Sequence, residues 1–269
     1  MYQTIGFIGT GNMGSAVARA AARSGLAETI LLSNRTPAKA AALAAELPGG
    51  TLSTNEEIAR TAKLIFLGVK PQMMQLVLDP LEPILRKRED RFILVTMAAG
   101  LTCDRIQDMV DLDCPVIRIM PNTPSAIGAG VVQYCGQLAT VEELDAFAAL
   151  IAPAGLVDPV PEGLIDAASA VSGCGPAFAY LFLEALADGG VACGLPRDKA
   201  VAYAAQMAVG AARMVLESGQ HPGVLKDAVC SPGGTTIQGI RALERSGFRG
   251  AAMEAVIAAY EKTVSLSKK

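Results

Sequence analysis

The chain has no tryptophan, a single histidine and few aromatic side chains, 4% in all. Charged residues are also scarce, 18% against 51% apolar, and acidic groups slightly outnumber basic ones, 26 to 23. Each scarcity excludes something. Low charge with high apolar content describes a packed globule and not a disordered chain. An acidic balance without aromatic platforms lacks the basic face and stacking surfaces that nucleic acid requires, so no nucleic-acid partner is expected. Histidine chemistry has only His221 to draw on, in the turn Gly219–Gln220–His221–Pro222, where a structural or surface role is expected. The six cysteines, at 103, 114, 135, 174, 193 and 230, include no CxxC pair. Neither a metal site nor a disulfide framework is therefore expected, and scattered thiols fit a reducing cytoplasm. The start is strand-like, so no signal peptide is expected. The longest uncharged apolar-looking stretch, Ala167 to Leu183, is interrupted by Gly173, Gly175 and Pro176. It reads as a buried helix pair and not as a membrane span.

What is present has two textures. Up to about Val160, β-rich runs (4–8, 29–33, 64–69, 92–97, 115–120 and 131–135) alternate with helical ones (12–24, 37–46, 72–85 and 141–151). Apolar strands alternating with helices predict a mostly parallel sheet covered on both faces. After Pro161 the strand signals stop. Ala-rich helical stretches follow over 163–172, 176–193, 196–218, 233–246 and 248–267, broken by Gly and Pro. Two domains are expected, residues 1–160 and 161–269, and the small-residue helices of the second must cover one another or a second chain.

Gly9–Thr10–Gly11–Asn12–Met13–Gly14 is a GxGxxG that follows a strand and opens a helix, the context the motif requires. Gly9 allows the tight turn, Gly11 lets the backbone approach a pyrophosphate, and Gly14 permits close helix–strand packing. Asn12 and Met13 complete this cofactor-binding turn, with the diphosphate on the helix N-terminus. Where an NAD enzyme places a carboxylate for the ribose, this chain has Ser33–Asn34–Arg35–Thr36. Arginine among hydroxyl and amide donors suits a 2′-phosphate, so NADPH is expected, with NADH as the alternative. Two more strand ends border the cofactor, at Val69–Lys70–Pro71 and Ala98–Ala99–Gly100. The small residues of the latter admit a nicotinamide ring, and Lys70 reads as a phosphate or surface contact in preference to a catalytic lysine.

Three further segments are distinctive: Arg118–Ile119–Met120–Pro121–Asn122–Thr123–Pro124, Ser172–Gly173–Cys174–Gly175–Pro176–Ala177–Phe178, and Val229–Cys230–Ser231–Pro232–Gly233–Gly234–Thr235–Thr236–Ile237. With them the chain resembles the Δ1-pyrroline-5-carboxylate reductases over nearly its whole length. The resemblance implies an α/β Rossmann-like N-terminal domain plus an all-α C-terminal dimerisation domain. It implies reduction of the cyclic imine 1-pyrroline-5-carboxylate to L-proline, the last step of proline synthesis, by a homodimer that builds larger assemblies in some members. By position, Ser231, Gly233, Gly234, Thr235 and Thr236 match the family's substrate-binding turn. Asn55 matches its ribose-contacting asparagine, Lys70 and Pro71 its strand-end Lys–Pro, and Asn122 its central loop. The segment from Ser172 to Pro176 resembles the wall beside substrate and nicotinamide. Gly68 departs from the alanine many members carry, a change expected to matter little.

Such a reduction asks the protein to hold a carboxylate, place the imine carbon against the nicotinamide and favour the protonated imine. No strong base is needed. The turn from Ser231 to Thr236 leads into a helix, so its N–H groups and dipole suit the carboxylate, and the Thr236 hydroxyl is the candidate catalytic group for the ring nitrogen. The alternative is that Ser231 or Thr235 merely caps that helix. Two rival functions remain. A β-hydroxyacid dehydrogenase wants a lysine on the helix after Gly175, where this chain has none. A non-catalytic NADP sensor has no use for the Gly–Gly–Thr–Thr turn.

Overall fold

The computed structural model describes residues 2–267, the side chains of 266 and 267 apart. The strands are β1 (Tyr2–Ile8), β2 (Ala27–Ser33), β3 (Gly50–Leu52), β4 (Leu64–Leu67), β5 (Ile93–Thr96), β6 (Val116–Pro121), β7 (Gly130–Gln137) and β8 (Gly155–Pro159). Between them run α1 (Asn12–Ser24), α2 (Pro37–Glu46), α3 (Asn55–Thr61), α4 (Met74–Leu78), α5 (Glu82–Leu85), α6 (Cys103–Val110) and α7 (Val141–Ile151). After β8 come α8 (Glu162–Ser172), α9 (Gly175–Ala192), α10 (Arg197–Ser218), α11 (Pro222–Ala228), α12 (Thr235–Arg245) and α13 (Phe248–Ser267).

One sheet of eight strands runs in the order β3-β2-β1-β4-β5-β6-β7-β8. Every neighbouring pair is parallel except β6 and β7. The order reverses between β1 and β4, the switch point at which open α/β sheets bind ligands. β4, β5 and β6 are buried throughout. Their apolar residues alternate between two cores, because successive side chains point to opposite faces. Phe7, Phe66 and Ile119 pack with α1, α2 and α7 on one face, whereas Ile8, Leu67 and Leu94 pack with α3, α4, α5 and α6 on the other. Phe7 and Phe66 stack with centroids 4.2 Å apart. The expected single helix over 72–85 is broken instead. Pro80 and Pro83 each remove a backbone donor, and only α4 and α5 form, after a 3-10 turn over Pro71–Met73.

The chain divides into two compact units, one reaching to Cys174 with the end of α13 from Ala259, the other Gly175–Ala258. Within the first unit, polar anchors tie α8 to the sheet. Arg118 of β6, 2% exposed, bonds Asp166 and lies 3.6 Å from Glu162. Gln133 of β7 donates to the Ser172 hydroxyl at 2.8 Å, and Asn122 donates to the Ser172 carbonyl at 2.9 Å.

In the second unit α9 packs on α10, close enough that a Cβ at Gly190 would stand 3.2 Å from that of Ala200. The expectation of a buried helix pair over 167–183 fails here. Of α9 only Ala187 is buried, and Tyr180 and Leu181 are more than 60% exposed. Glu162–Ala192 is the one stretch among the described residues long and apolar enough to cross a membrane, and of its most apolar 18-residue window only 11% is buried. It is broken into α8 and α9 at Gly173 and Cys174. Within one chain this surface has no cover.

Candidate active site

The carboxyl ends of the central strands are level: Ile8 pairs with Ser33 and with Leu67, and Leu67 with Thr96. The loops that follow therefore open on one edge of the sheet. They carry the glycine turn from Gly9 to Gly14, the Ser33–Arg35 segment, Gly68–Pro71 and Ala98–Gly100.

At the first of these, three glycines interlock. Gly9 has φ +99°, a conformation that favours glycine. A Cβ on Gly14 would stand 2.1 Å from the Gly9 carbonyl oxygen, and one on Gly68 would stand 2.3 Å from it. The Gly68 departure thus matters more than expected: at this backbone spacing alanine does not fit. Gly11 is different. No atom lies within 4 Å of where its Cβ would be, and it stands at the N-cap of α1 with no side-chain cap. The first N–H groups of α1 are left open, as an anion site requires. Asn12 is exposed and Met13 half-buried at the start of that helix.

Around this turn the polar groups are arranged. The Thr10 N–H donates to Asn34 Oδ1 at 3.2 Å, and Asn34 Nδ2 donates to the Thr36 carbonyl. The Ser33 hydroxyl donates to Asn55 Oδ1 at 2.6 Å, where Asn55 opens α3. Arg35 is exposed, and among the described residues no carboxylate pairs with it. Thr10 Oγ1 is buried with no partner among the described residues. An orphaned hydroxyl, an open helix end and a Cβ-free cradle together fit a dinucleotide phosphate. Val69 is half-buried, Lys70 is exposed, and Pro71 opens the 3-10 turn. Ala98 is buried and Ala99 exposed. Asn122 differs from the rest: its Oδ1 accepts from the Val131 N–H at 2.9 Å while its Nδ2 serves Ser172. Its side chain is spent inside the fold, which leaves only its backbone to a ligand.

In the second unit, Ser231–Pro232–Gly233–Gly234 forms a tight turn closed by Gly234 N–H donating to the Ser231 carbonyl at 3.0 Å. Proline second and glycine at φ +69° third is the pattern of a type II turn. A Cβ on Gly234 would stand 2.3 Å from Ser231 Oγ. Helix α12 then starts with Gly234 as N-cap and no side-chain cap. Neither Ser231 nor Thr235 caps it, so the capping alternative is not realised. Thr235 and Thr236 are exposed at its first turn. His221, by contrast, caps α11, its Nδ1 accepting from the Gly223 N–H at 3.0 Å. Sequence reasoning passed over Thr10 and Arg118. The signal for Arg118 was there, a lone charge inside the apolar run of β6.

The chain is similar to known proteins from end to end. Residues 162–266 match the family described as pyrroline-5-carboxylate reductase dimerisation, and residues 4–100 match NADP oxidoreductase coenzyme F420-dependent. The pyrroline-5-carboxylate reductase of Pisum sativum is 43% identical, covering 98% of this chain and 96% of its own. That of Escherichia coli is 40% identical over 100% of both. The crystal structure of the Plasmodium falciparum pyrroline carboxylate reductase with NADP bound superposes with a TM-score of 0.85 at 32% identity, over 99% of this chain and 98% of that one. With similarity of this extent from end to end, the chain belongs to the pyrroline-5-carboxylate reductase family.

Proposed function

We propose that the chain reduces 1-pyrroline-5-carboxylate to L-proline with NADPH, the last step of proline biosynthesis, as a homodimer or a larger homo-oligomer of dimers. NADH is the alternative donor. The observation that carries the substrate assignment is the start of α12. It is exposed and uncapped, and its turn has no Cβ at Gly233 or Gly234. The N–H groups of Thr235, Thr236 and Ile237 have no helical acceptor, so they are offered to a carboxylate under the favourable end of the helix dipole.

Each unit has its task. Gly9, Gly11, Asn12, Met13 and Gly14 hold the diphosphate on α1, and Thr10 Oγ1 gains a partner there. Ser33, Asn34 and Arg35 take the 2′-phosphate, and Asn55, oriented by Ser33, takes ribose. Val69, Lys70 and Pro71 with Ala98, Ala99 and Gly100 border the nicotinamide, joined by the Asn122 backbone. NADPH, when bound, supplies the hydride that the imine carbon accepts. Ser231, Gly233, Gly234 and Thr235 fix the carboxylate, and Thr236 places its hydroxyl at the ring nitrogen as that atom becomes an amine. We place the reaction in the cytoplasm, since all six cysteines are free.

The test is a balance. Purified protein should consume NADPH only when pyrroline-5-carboxylate is added, and form one proline for each NADPH oxidised. Oxidation without proline overturns the substrate assignment.

A further inference from the structure

Outside the cofactor loops and the Ser231–Thr236 turn, three donors from separate elements converge: Cys103, the first residue of α6, Cys135 in β7, and Glu162, the first residue of α8. Their Sγ and carboxylate oxygen atoms all lie within 4.8 Å of one another. They line a shared cavity of about 480 Å³ that opens to solvent. We propose that this cluster is a site for one borderline-soft divalent cation, Zn²⁺ by its ligand chemistry, held by the Cys103 and Cys135 sulfurs and Glu162, with water from the cavity as fourth ligand.

The ligand set selects the ion. Two thiolates and one carboxylate suit zinc and disfavour the hard cations, which take oxygen alone. Metal–sulfur bonds of about 2.3 Å in a tetrahedron put ligand atoms about 3.5–3.8 Å apart. A ceiling of 4.8 Å therefore asks for a movement of about an ångström at most.

The donors are already oriented. Thr102 caps α6 through the Arg105 N–H at 3.2 Å, which fixes the turn that carries Cys103. Glu162 Oε1 accepts from the Cys103 N–H at 2.8 Å, leaving the second oxygen of that carboxylate for an ion. Cys135 stands opposite Arg118 in the β6–β7 ladder. Arg118 is the nearby positive charge, 3.6 Å from Glu162, but its closer partner is Asp166, which offsets it. The cavity supplies an entry path, one requirement of a credible site, and room for a water ligand. No local motif announces this grouping, because its members are far apart in sequence and meet only through the antiparallel β7 and the docking of α8. Ligation would fasten α6, β7 and α8 together just beyond the Ala98–Gly100 loop.

The full chain, reduced and stripped with a chelator, is titrated with Co²⁺ as a spectroscopic probe and then with Zn²⁺. One Co²⁺ per chain should bind with a thiolate-to-cobalt charge-transfer band, and Zn²⁺ should displace it. Cys103→Ser and Cys135→Ser should abolish the band, and Glu162→Gln should weaken binding by at least roughly 10-fold, the cost of losing even an outer-shell partner. Cys193→Ser, at an exposed thiol in the other unit, should leave the titration unchanged. Cys103 is 1% exposed and its replacement is liable to unfold the chain, so half-buried Cys135→Ala, checked by circular dichroism, is the deciding variant. No uptake by the folded, reduced wild-type protein overturns the proposal, as does uptake that survives in Cys135→Ala. A peroxide-formed Cys103–Cys135 disulfide in a protein that binds no Co²⁺ when reduced also overturns it, in favour of a redox pair.

Discussion

The carbonyl oxygen of Gly9 occupies the space that a Cβ on Gly68 would need, 2.3 Å from it. The turn after β1 and the end of β4 thus fit together only as two glycines. Overpacking of this kind costs about 1–3 kcal/mol, so Gly68→Ala should lower the melting temperature. Gly9→Ala should do worse, since it adds strain at φ +99° and would put its own Cβ 2.6 Å from the Gly68 carbonyl oxygen. Gly11→Ala should lower the melting temperature of the free protein only slightly, because nothing lies near its Cβ and only the N-cap preference for glycine is lost, yet weaken NADPH binding by filling the phosphate cradle. Melting curves beside fluorescence titrations with NADPH separate the two behaviours. Normal NADPH affinity in Gly11→Ala would remove the cradle from the site.

Arg35 stands exposed just past the end of β2, with no carboxylate partner among the described residues, which is where a 2′-phosphate reaches a Rossmann-like sheet. A charge-assisted bond there is worth roughly 1.5–3 kcal/mol. Arg35→Ala should therefore reduce kcat/KM for NADPH by roughly 10–150-fold and change that for NADH little. Parallel loss with both nucleotides would mean that Arg35 supports the fold and not the phosphate.

Much of this was legible in the sequence, for identifiable reasons. β4, β5 and β6 are apolar end to end because both faces are covered, and the glycine turn announces itself by its spacing. β3 and β8 escaped notice: each is short and at a sheet edge, with little apolar patterning to mark it. α8 is legible as a helix, but its pairing with the buried Arg118 is a long-range contact no local pattern encodes. The exposure of α9 is illegible for a related reason: its residues are apolar, yet within the chain only Ala187 is buried.

That exposed face has a definite consequence. Leu181 and Met214 are 68% and 57% exposed on α9 and α10, within the residues that match the dimerisation family. Apolar surface of this extent marks an interface. The wild-type protein should sediment as a dimer or a larger multiple at micromolar concentration. Leu181→Asp with Met214→Asp should shift it toward monomer, whereas Leu76→Asp, equally exposed on α4, should not. An unchanged sedimentation profile in the double variant would place the interface elsewhere.

Acid stability should depend on Glu143. Arg91 bonds its carboxylate through Nε and Nη2, at 2.5 and 2.9 Å, and the Thr140 N–H adds a third bond at 2.8 Å. The Arg91 guanidinium above all, with the Thr140 N–H, holds this carboxyl below its usual value of 4.5. A depressed carboxylate stabilises the fold above its unfolded pKa, and that contribution is lost as pH falls through the folded value. Arg91→Gln should lower stability near neutral pH by the modest amount of a half-exposed pair, about 0.2–1 kcal/mol, read as a lowered melting temperature. Below the carboxylate range the gap should narrow to what the Arg91 bond to the Leu138 carbonyl, at 2.8 Å, contributes. A gap that stays constant into acid would show that Arg91 acts through packing alone.

Thr236 is the residue on which the chemistry is staked. It lies exposed in the first turn of α12, and Gly234, not a side chain, stands at the cap. Removing its hydroxyl therefore costs no capping bond, and Thr236→Val should melt within a degree or two of the wild type. If the hydroxyl bonds the ring nitrogen more strongly as the imine becomes an amine, its loss takes about 1–3 kcal/mol from the transition state. The expected fall in kcat is roughly 5–150-fold. NADPH affinity should hold, since the cofactor residues belong to the other unit, and Thr236→Ser should recover most of the rate. Gly234→Val should behave differently, raising KM for the imine, because its side chain would meet Ser231 Oγ and crowd the carboxylate turn. Measuring kcat, KM, NADPH Kd and melting temperature on the same preparations separates these roles. Full turnover in Thr236→Val with a lowered melting temperature would make Thr236 a structural residue and leave the ring nitrogen to another donor.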